Sequence, residues 1–154
     1  MSLEPFKTAQ GSDYTGCRQL LIFLENQVGQ LLRLTRVLDA EDVHILGITV
    51  EGSIDYAIVR MIVDDPDAAR RMISEAPFVV TEADVLVVEL PPGHRAILAV
   101  CAALISGEVS INYSYPMLAS PRHEAALAIQ VDNLSQAVAV LHSKRFQILD
   151  QSDL

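Results

Sequence analysis

Apolar positions in this chain fall into short unbroken runs, separated by stretches in which they recur every three or four residues. Leu20, Leu21, Ile22, Phe23 and Leu24 make the first run, which stops at a polar turn, Glu25-Asn26-Gln27-Val28-Gly29. Leu31, Leu32, Leu34, Val37 and Leu38 then repeat at helical spacing, Asp42 interrupts them, and residues 43–50 form a second β-type run. The expected order is strand, glycine turn, helix, strand. Gly29 lets the chain bend sharply at the helix start. The first-turn N–H groups have no intrahelical acceptor and so form a site for a carboxylate or another small anion.

Gly52-Ser53 is a two-residue link of the kind that closes a β-hairpin, which makes residues 55–63 (DYAIVRMIV) the third strand. Asp64-Asp65-Pro66-Asp67 starts a second helix: acidic groups suit its positive end, and proline fits the first turn. Pro77 ends that helix, and residues 78–81 are the fourth strand. The order βαββαβ then begins again. Residues 85–90 (VLVVEL) are an apolar run closed by Pro91-Pro92-Gly93, and Ile97, Val100, Cys101, Leu104 and Ile105 give residues 96–106 helical spacing. Strands are expected at 109–115, 125–131 and 146–149, with a helix starting at Asp132-Asn133.

The two rounds are copies. Leu24, Leu31, Leu34, Leu38, Val43 and Ile45 are matched 66 positions later by Leu90, Ile97, Val100, Leu104, Val109 and Ile111. Val63, Asp64, Ala69 and Phe78 are matched 68 positions later by Val131, Asp132, Ala137 and Phe146, the two extra residues falling in the second hairpin link. Keeping Val-Asp before a helix and Phe after it marks a true internal repeat. Each unit folds most simply as a ferredoxin-like α+β layer, an antiparallel sheet with two helices on one face. The expected division is a disordered leader at 1–17, a first repeat at 18–82 and a second at 83–154. A unit of about 65 residues has a marginal core alone. The runs at 20–24 and 85–90 are apolar at nearly every position, so both faces of those strands are expected to be covered. Helices cover one face, and a second chain is the simplest cover for the other, which implies a homodimer.

Composition narrows the function classes. Of 154 residues, 20 are acidic and 11 basic, giving a formal charge of −9 without any Lys/Arg stripe. Nucleic acid and anionic membrane are therefore not expected partners. No apolar run reaches the length of a membrane span, and no signal peptide precedes the first strand. Cys17 and Cys101 stand apart from each other without metal-ligand spacing, a pattern that fits a reducing cytoplasm. His94, His123 and His142 form no HxH or HExxH pattern, and no GxSxG or phosphate-binding loop is present, so neither metal, cofactor nor catalytic residue is implied. Asp64, Asp65 and Asp67 look like paired carboxylates, but a helix start explains them.

The stretch FLENQVGQLLRLTRVLDAEDVHILGI resembles the first strand, loop, helix and second strand of the ACT domain, a small regulatory βαββαβ module. LVVELPPGHRAILAVCAALISGEVSINYSY resembles the same module more weakly, and residues 18 to 150 resemble a tandem ACT protein without a catalytic domain. The resemblance implies modules that pair and bind a small ligand, most often an amino acid, where the strand-to-helix loop of one faces the second strand of the other. Carried onto this sequence, the loop positions are Asn26, Gln27, Val28 and Gly29, and the second-strand positions are His44 and Ser110. In the second copy, Pro92 and Arg95 stand where the first has Asn26 and Gly29. Proline offers neither an N–H nor an amide, whereas Arg95 can offer a guanidinium to a carboxylate or block the pocket. One competent site at the first loop is the expectation, with the second altered or inactive. Asn112 and Ser114 share one strand face and can line a pocket, while Tyr113 and Tyr115 share the other and pack. The function implied is a non-catalytic regulatory protein that binds an amino acid. The alternative is a ligand-free module that dimerises or docks on a partner enzyme. For Asn26 and Gln27 plain helix capping stays open, and for His44 a structural role.

Overall fold

The computed structural model describes residues 16–25 and 27–154. In chain order these form β1 (Cys17–Glu25), α1 (Gln30–Asp39), β2 (Ile45–Gly52), β3 (Tyr56–Val63), α2 (Pro66–Glu75), β4 (Val79–Glu89), α3 (Ala96–Ser106), β5 (Ile111–Pro116), β6 (Ala126–Val131), α4 (Leu134–Ser143) and β7 (Ile148–Leu149). The leader assigned to 1–17 lies outside the described residues as far as residue 15, and Cys17 already begins β1. The first hairpin is closed by residues 53–55 rather than by two residues, with the Ser53 N–H donating to the Tyr56 carbonyl at 2.8 Å.

Two βαββαβ repeats are present, fused more closely than the sequence pattern indicates. The fourth strand of the first repeat and the first strand of the second are one 11-residue strand, β4. Its first half pairs antiparallel with β1, from Phe23↔Val79 to Cys17↔Val85. Its second half pairs with β6, from Leu86↔Ile129 to Glu89↔Ala126, and with β7 at Val87↔Leu149 and Val88↔Ile148. Glu82 and Asp84, which interrupt the apolar pattern here, do not interrupt the strand. Glu82 accepts from Arg18 Nη2 at 2.6 Å and lies 3.4 Å from Arg70 Nη1, so its charge is matched where it stands.

The strands run in the order β2-β3-β1-β4-β6-β5, all antiparallel, with β7 beside β4. The sheet curls until its outer strands meet. Gly47 bridges Met117, and the Leu118 N–H donates to the Leu46 carbonyl at 2.8 Å. The approach is close at this seam: a Cβ on Gly47 would sit 2.7 Å from Met117 Sδ, so the Met117 side chain would have to move. The duplication extends to irregularities: β2 bulges between Ile45 and Gly47, and β5 bulges between Ile111 and Tyr113, 66 positions later.

Three apolar clusters follow from this shape. Leu20, Ile22 and Leu24 meet Leu34 and Leu38 of α1 and Ala69, Met72 and Ile73 of α2. Leu86 and Val88 meet Val100 and Leu104 of α3 and Ala137 and Leu141 of α4. On the sheet face away from the helices, Val85 and Val87 pack with Cys17, Ile62, Tyr115, Ala126, Ala128 and Leu149. The second-face cover for 85–90, expected from another chain, is thus supplied at Val85 and Val87 by the chain itself through curling. On β1 that face is mixed: Gln19 is buried, and Phe23 is 39% exposed.

Candidate ligand-binding site

At the first strand-to-helix loop, Gln27, Val28 and Gly29 are all exposed. Gly29 takes the left-handed conformation at φ 85° that glycine tolerates best, and it stands at the N-cap of α1. No side chain caps this helix among the described residues; the Gln30 N–H reaches back to the Gln27 carbonyl at 3.3 Å. Val28, Leu31 and Leu32 add an exposed apolar rim. Asn26 lies outside the described residues. The helix of the second repeat's loop, α3, also starts without a side-chain cap, on Arg95. The other two helices are capped: Asp65 accepts from the Ala68 N–H, and Asn133 from the Gln136 N–H.

His44 lies at the far end of the first repeat from that loop, where β2 begins. Its backbone N–H donates to Asp64 Oδ1 at 2.9 Å, its ring Nδ1 is 2.7 Å from Asp64 Oδ2, and its Nε2 is 3.4 Å from Asp42. The hydrogen bond with Asp64, with the Asp42 charge adding to it, raises the His44 pKa above 6.5. Partial burial pushes the Asp64 carboxyl up, but the bonds from His44 outweigh this and leave it below the ordinary value. The second repeat repeats the clamp, with the Ser110 N–H donating to Asp132 Oδ1 at 3.0 Å. The Val-Asp pair that marks the duplication therefore ties down the entry to β2 and β5.

Asn112 is exposed at the β5 bulge, with its Nδ2 donating to Gln130 Oε1 at 2.5 Å. Arg95 is exposed at the start of α3, its carbonyl accepting from the Ala99 N–H at 2.9 Å. The residues singled out from sequence thus divide: Gln27, Val28 and Gly29 stand together, His44 at the opposite end, Ser110 and Asn112 around the start of β5, and Arg95 by the second loop. Tyr113 and Tyr115 point into the interior. There Gln19 Nε2 donates to the Tyr113 hydroxyl at 2.7 Å, and the Tyr115 hydroxyl donates to Gln19 Oε1 at 2.7 Å. The Arg60 guanidinium lies 4.2 Å over the Tyr113 ring and pairs with Glu51 at 2.9 Å.

One concavity was not foreseen from sequence. It opens at the second loop, with a volume of about 310 Å³, between Leu90, Pro91 and Pro92, the β5–β6 link at Arg122 and Glu124, and the α4–β7 turn at Arg145, Phe146 and Gln147. At its floor Glu89, 7% exposed, accepts two bonds from Arg122, one from Nε at 3.0 Å and one from Nη2. The sequence signal was a lone acid inside VLVVEL. Among the described residues no three His, Cys, Asp or Glu converge as metal ligands, and no helix is long and apolar enough to cross a membrane.

Two βαββαβ modules sharing a strand, with no side-chain cap among the described residues on the helix behind either strand-to-helix loop, define a paired ferredoxin-like fold. The family model described as "ACT domain pair" matches residues 15–154, and the chain belongs to that family. A protein of Bacteroides thetaiotaomicron, BT0572, is 31% identical, with 92% of this chain and 97% of that one covered and a TM-score of 0.84. The regulatory subunits of aspartate kinase from Thermus thermophilus and Thermus flavus share the fold at 12% identity. Their TM-scores are 0.57 and 0.51, with 84% of this chain and 91% and 97% of theirs covered. No curated protein matches.

Proposed function

We propose that this chain is a non-catalytic regulatory protein that binds an amino acid through its strand-to-helix loops and works as a cytoplasmic homodimer. The observation carrying this is the division among the helices. α2 and α4 have side-chain caps, while α1 and α3, which follow the loops, have none among the described residues. Open first-turn N–H groups favour a carboxylate. Regulation follows by linkage, because a ligand that binds one packing of the modules better than another shifts the population towards it. Amide chemical shifts recorded during titration with each amino acid test the reading. Shifts of residues 27–33 or 91–99 are expected with at least one amino acid, and shifts confined to other regions would count against the loops.

A second reading has its own support. α3 carries no charged residue, and Ile97, Leu98 and Ile105 are exposed at 56%, 63% and 73%. At the matching outward positions of α1, Arg33, Arg36 and Asp39 stand where α3 has Ala99, Ala102 and Ile105. A module that only dimerises, or docks on a partner enzyme, would use such a face. Amino-acid binding measured beside the assembly state of Leu98→Asp separates the readings: a docking module loses assembly and binds no amino acid even as wild type, whereas a ligand sensor binds one in both wild type and variant.

A further inference from the structure

The duplication shows what is special about the cleft of the second repeat. In the first repeat Arg33 lies 5.0 Å over the Phe78 ring and donates to the Ala76 carbonyl at 2.7 Å, covering that ring. Phe146 is the counterpart of Phe78, but Ala99 replaces Arg33, and Phe146 lines the cleft instead. The charged groups are also specific to this repeat. Glu89 corresponds to Phe23 and Arg145 to Pro77, while Arg122 belongs to the longer hairpin link. The second repeat therefore lacks the arginine that covers this ring, and its ring lines a cleft that also holds two arginines and a buried carboxylate.

The charges suit a zwitterion. Glu89 and Glu124 balance Arg122 and Arg145, so the lining has no net charge. Arg122 commits Nε and Nη2 to Glu89, leaving Nη1. Arg145 has no acidic partner within 4 Å among the described residues, and its backbone holds the left-handed φ of 66°. Pro91 and Pro92 supply no N–H, so a carboxylate here must be met by guanidinium groups rather than by the loop backbone. Leu90, Pro92 and Phe146 give apolar walls, and a volume of about 310 Å³ lies at the small end of the range for small-molecule pockets. A salt bridge serving only to hold the link would not need a second, unpaired arginine beside it.

We infer that the second repeat's cleft is an amino-acid pocket for an α-amino acid with an apolar side chain. Arg145 and Arg122 take its carboxylate, Glu89 and Glu124 its ammonium, and Phe146 its side chain. This deepens the ligand-binding reading above and rests on it.

Isothermal titration of the full chain with apolar amino acids, and with the amine and carboxylic acid lacking one charged group each, is the test. Arg145→Gln is the main variant, because Arg145 is exposed and forms no ion pair that folding needs; its unfolding midpoint serves as the control. An amino acid is expected to bind wild type, to bind roughly 10- to 100-fold more weakly to Arg145→Gln, as for loss of a charge-assisted contact, and to outcompete both single-charge analogues. Affinity unchanged in Arg145→Gln and in Arg122→Gln would overturn the cleft while leaving amino-acid binding intact; a loss in Gly29→Val instead would move the site to the first loop. No binding of any amino acid to wild type would overturn both.

Discussion

Replacing Tyr115 by Phe deletes one oxygen from the interior of the curled sheet. The Tyr115 side chain is 4% exposed, and its hydroxyl donates to Gln19 Oε1 at 2.7 Å, on a side chain that is itself fully buried. The two residues belong to β5 and β1, which are separated in the sheet by β4 and β6, so this bond crosses the interior and ties the repeats together. The ring keeps its packing in the variant, and no large cavity opens. The cost is the unsatisfied Gln19 acceptor, about 1–3 kcal/mol. For a chain of this length each kcal/mol moves the thermal midpoint by about 2–4 °C. Urea unfolding followed by circular dichroism measures the change, and Gln19→Met completes a double-mutant cycle. With both partners apolar, the double variant is expected to be at least about 0.5 kcal/mol more stable than the sum of the singles implies. Wild-type stability in Tyr115→Phe, additive with Gln19→Met, would refute a closed interior. Burial also raises the Tyr115 pKa above the ordinary phenol value. Its contribution is complete below the unfolded value near 10 and is lost as pH rises through the folded one.

Gly47→Val places a branched side chain against Met117 at the seam and is expected to destabilise by about 1–3 kcal/mol. Met117→Ala should recover part of that loss, and no recovery would mean the seam is not the cause. The imidazole of His44 should titrate above 6.5 by nuclear magnetic resonance and return towards that value in Asp64→Asn; a wild-type value at or below 6.5 would contradict the pairing. The His44 contribution to stability is full below about 6.5 and fades as pH rises through its folded pKa. The Asp64 contribution is present above the ordinary carboxylate range and is lost as pH falls through its depressed pKa. Asp65→Ala and Asn133→Ala each remove a helix cap and should cost about 0.5–2 kcal/mol in urea unfolding, whereas an unchanged midpoint would assign those side-chain oxygens no capping role.

The repeat was legible because burial imposes its own period. Leu20, Ile22 and Leu24 had to alternate inward, and Leu34 and Leu38 had to share a helix face, whatever the tertiary arrangement. The bounds of α3 were readable for the same reason, between the prolines before it and Gly107 after it. The shared strand was not readable. Glu82 and Asp84 look like a break until Arg18 and Arg70 are known to face Glu82, and those partners lie 64 and 12 residues away in sequence. Closure through Gly47 and Met117 was hidden likewise, since a seam between edge strands leaves no local period. At the loops, the polar turn at Gln27 to Gly29 could be read from its place between an apolar run and a helical one, and it does precede α1, but the cleft at Glu89, Arg122 and Arg145 could not be read. Its three charged residues lie at the end of β4 and in two separate links, and they carry no spacing.

Thermal unfolding of the full chain against the twenty amino acids tests the central claim most directly. A ligand that binds only the folded state stabilises by about 2.7 kcal/mol at a hundredfold excess over its dissociation constant, or about 5–11 °C at this chain length. The expected result is a selective shift of that size with one amino acid or a few of similar side chain. No shift with any of the twenty, in a chain that unfolds cooperatively, would contradict amino-acid sensing and leave the uncharged face of α3 as the functional surface.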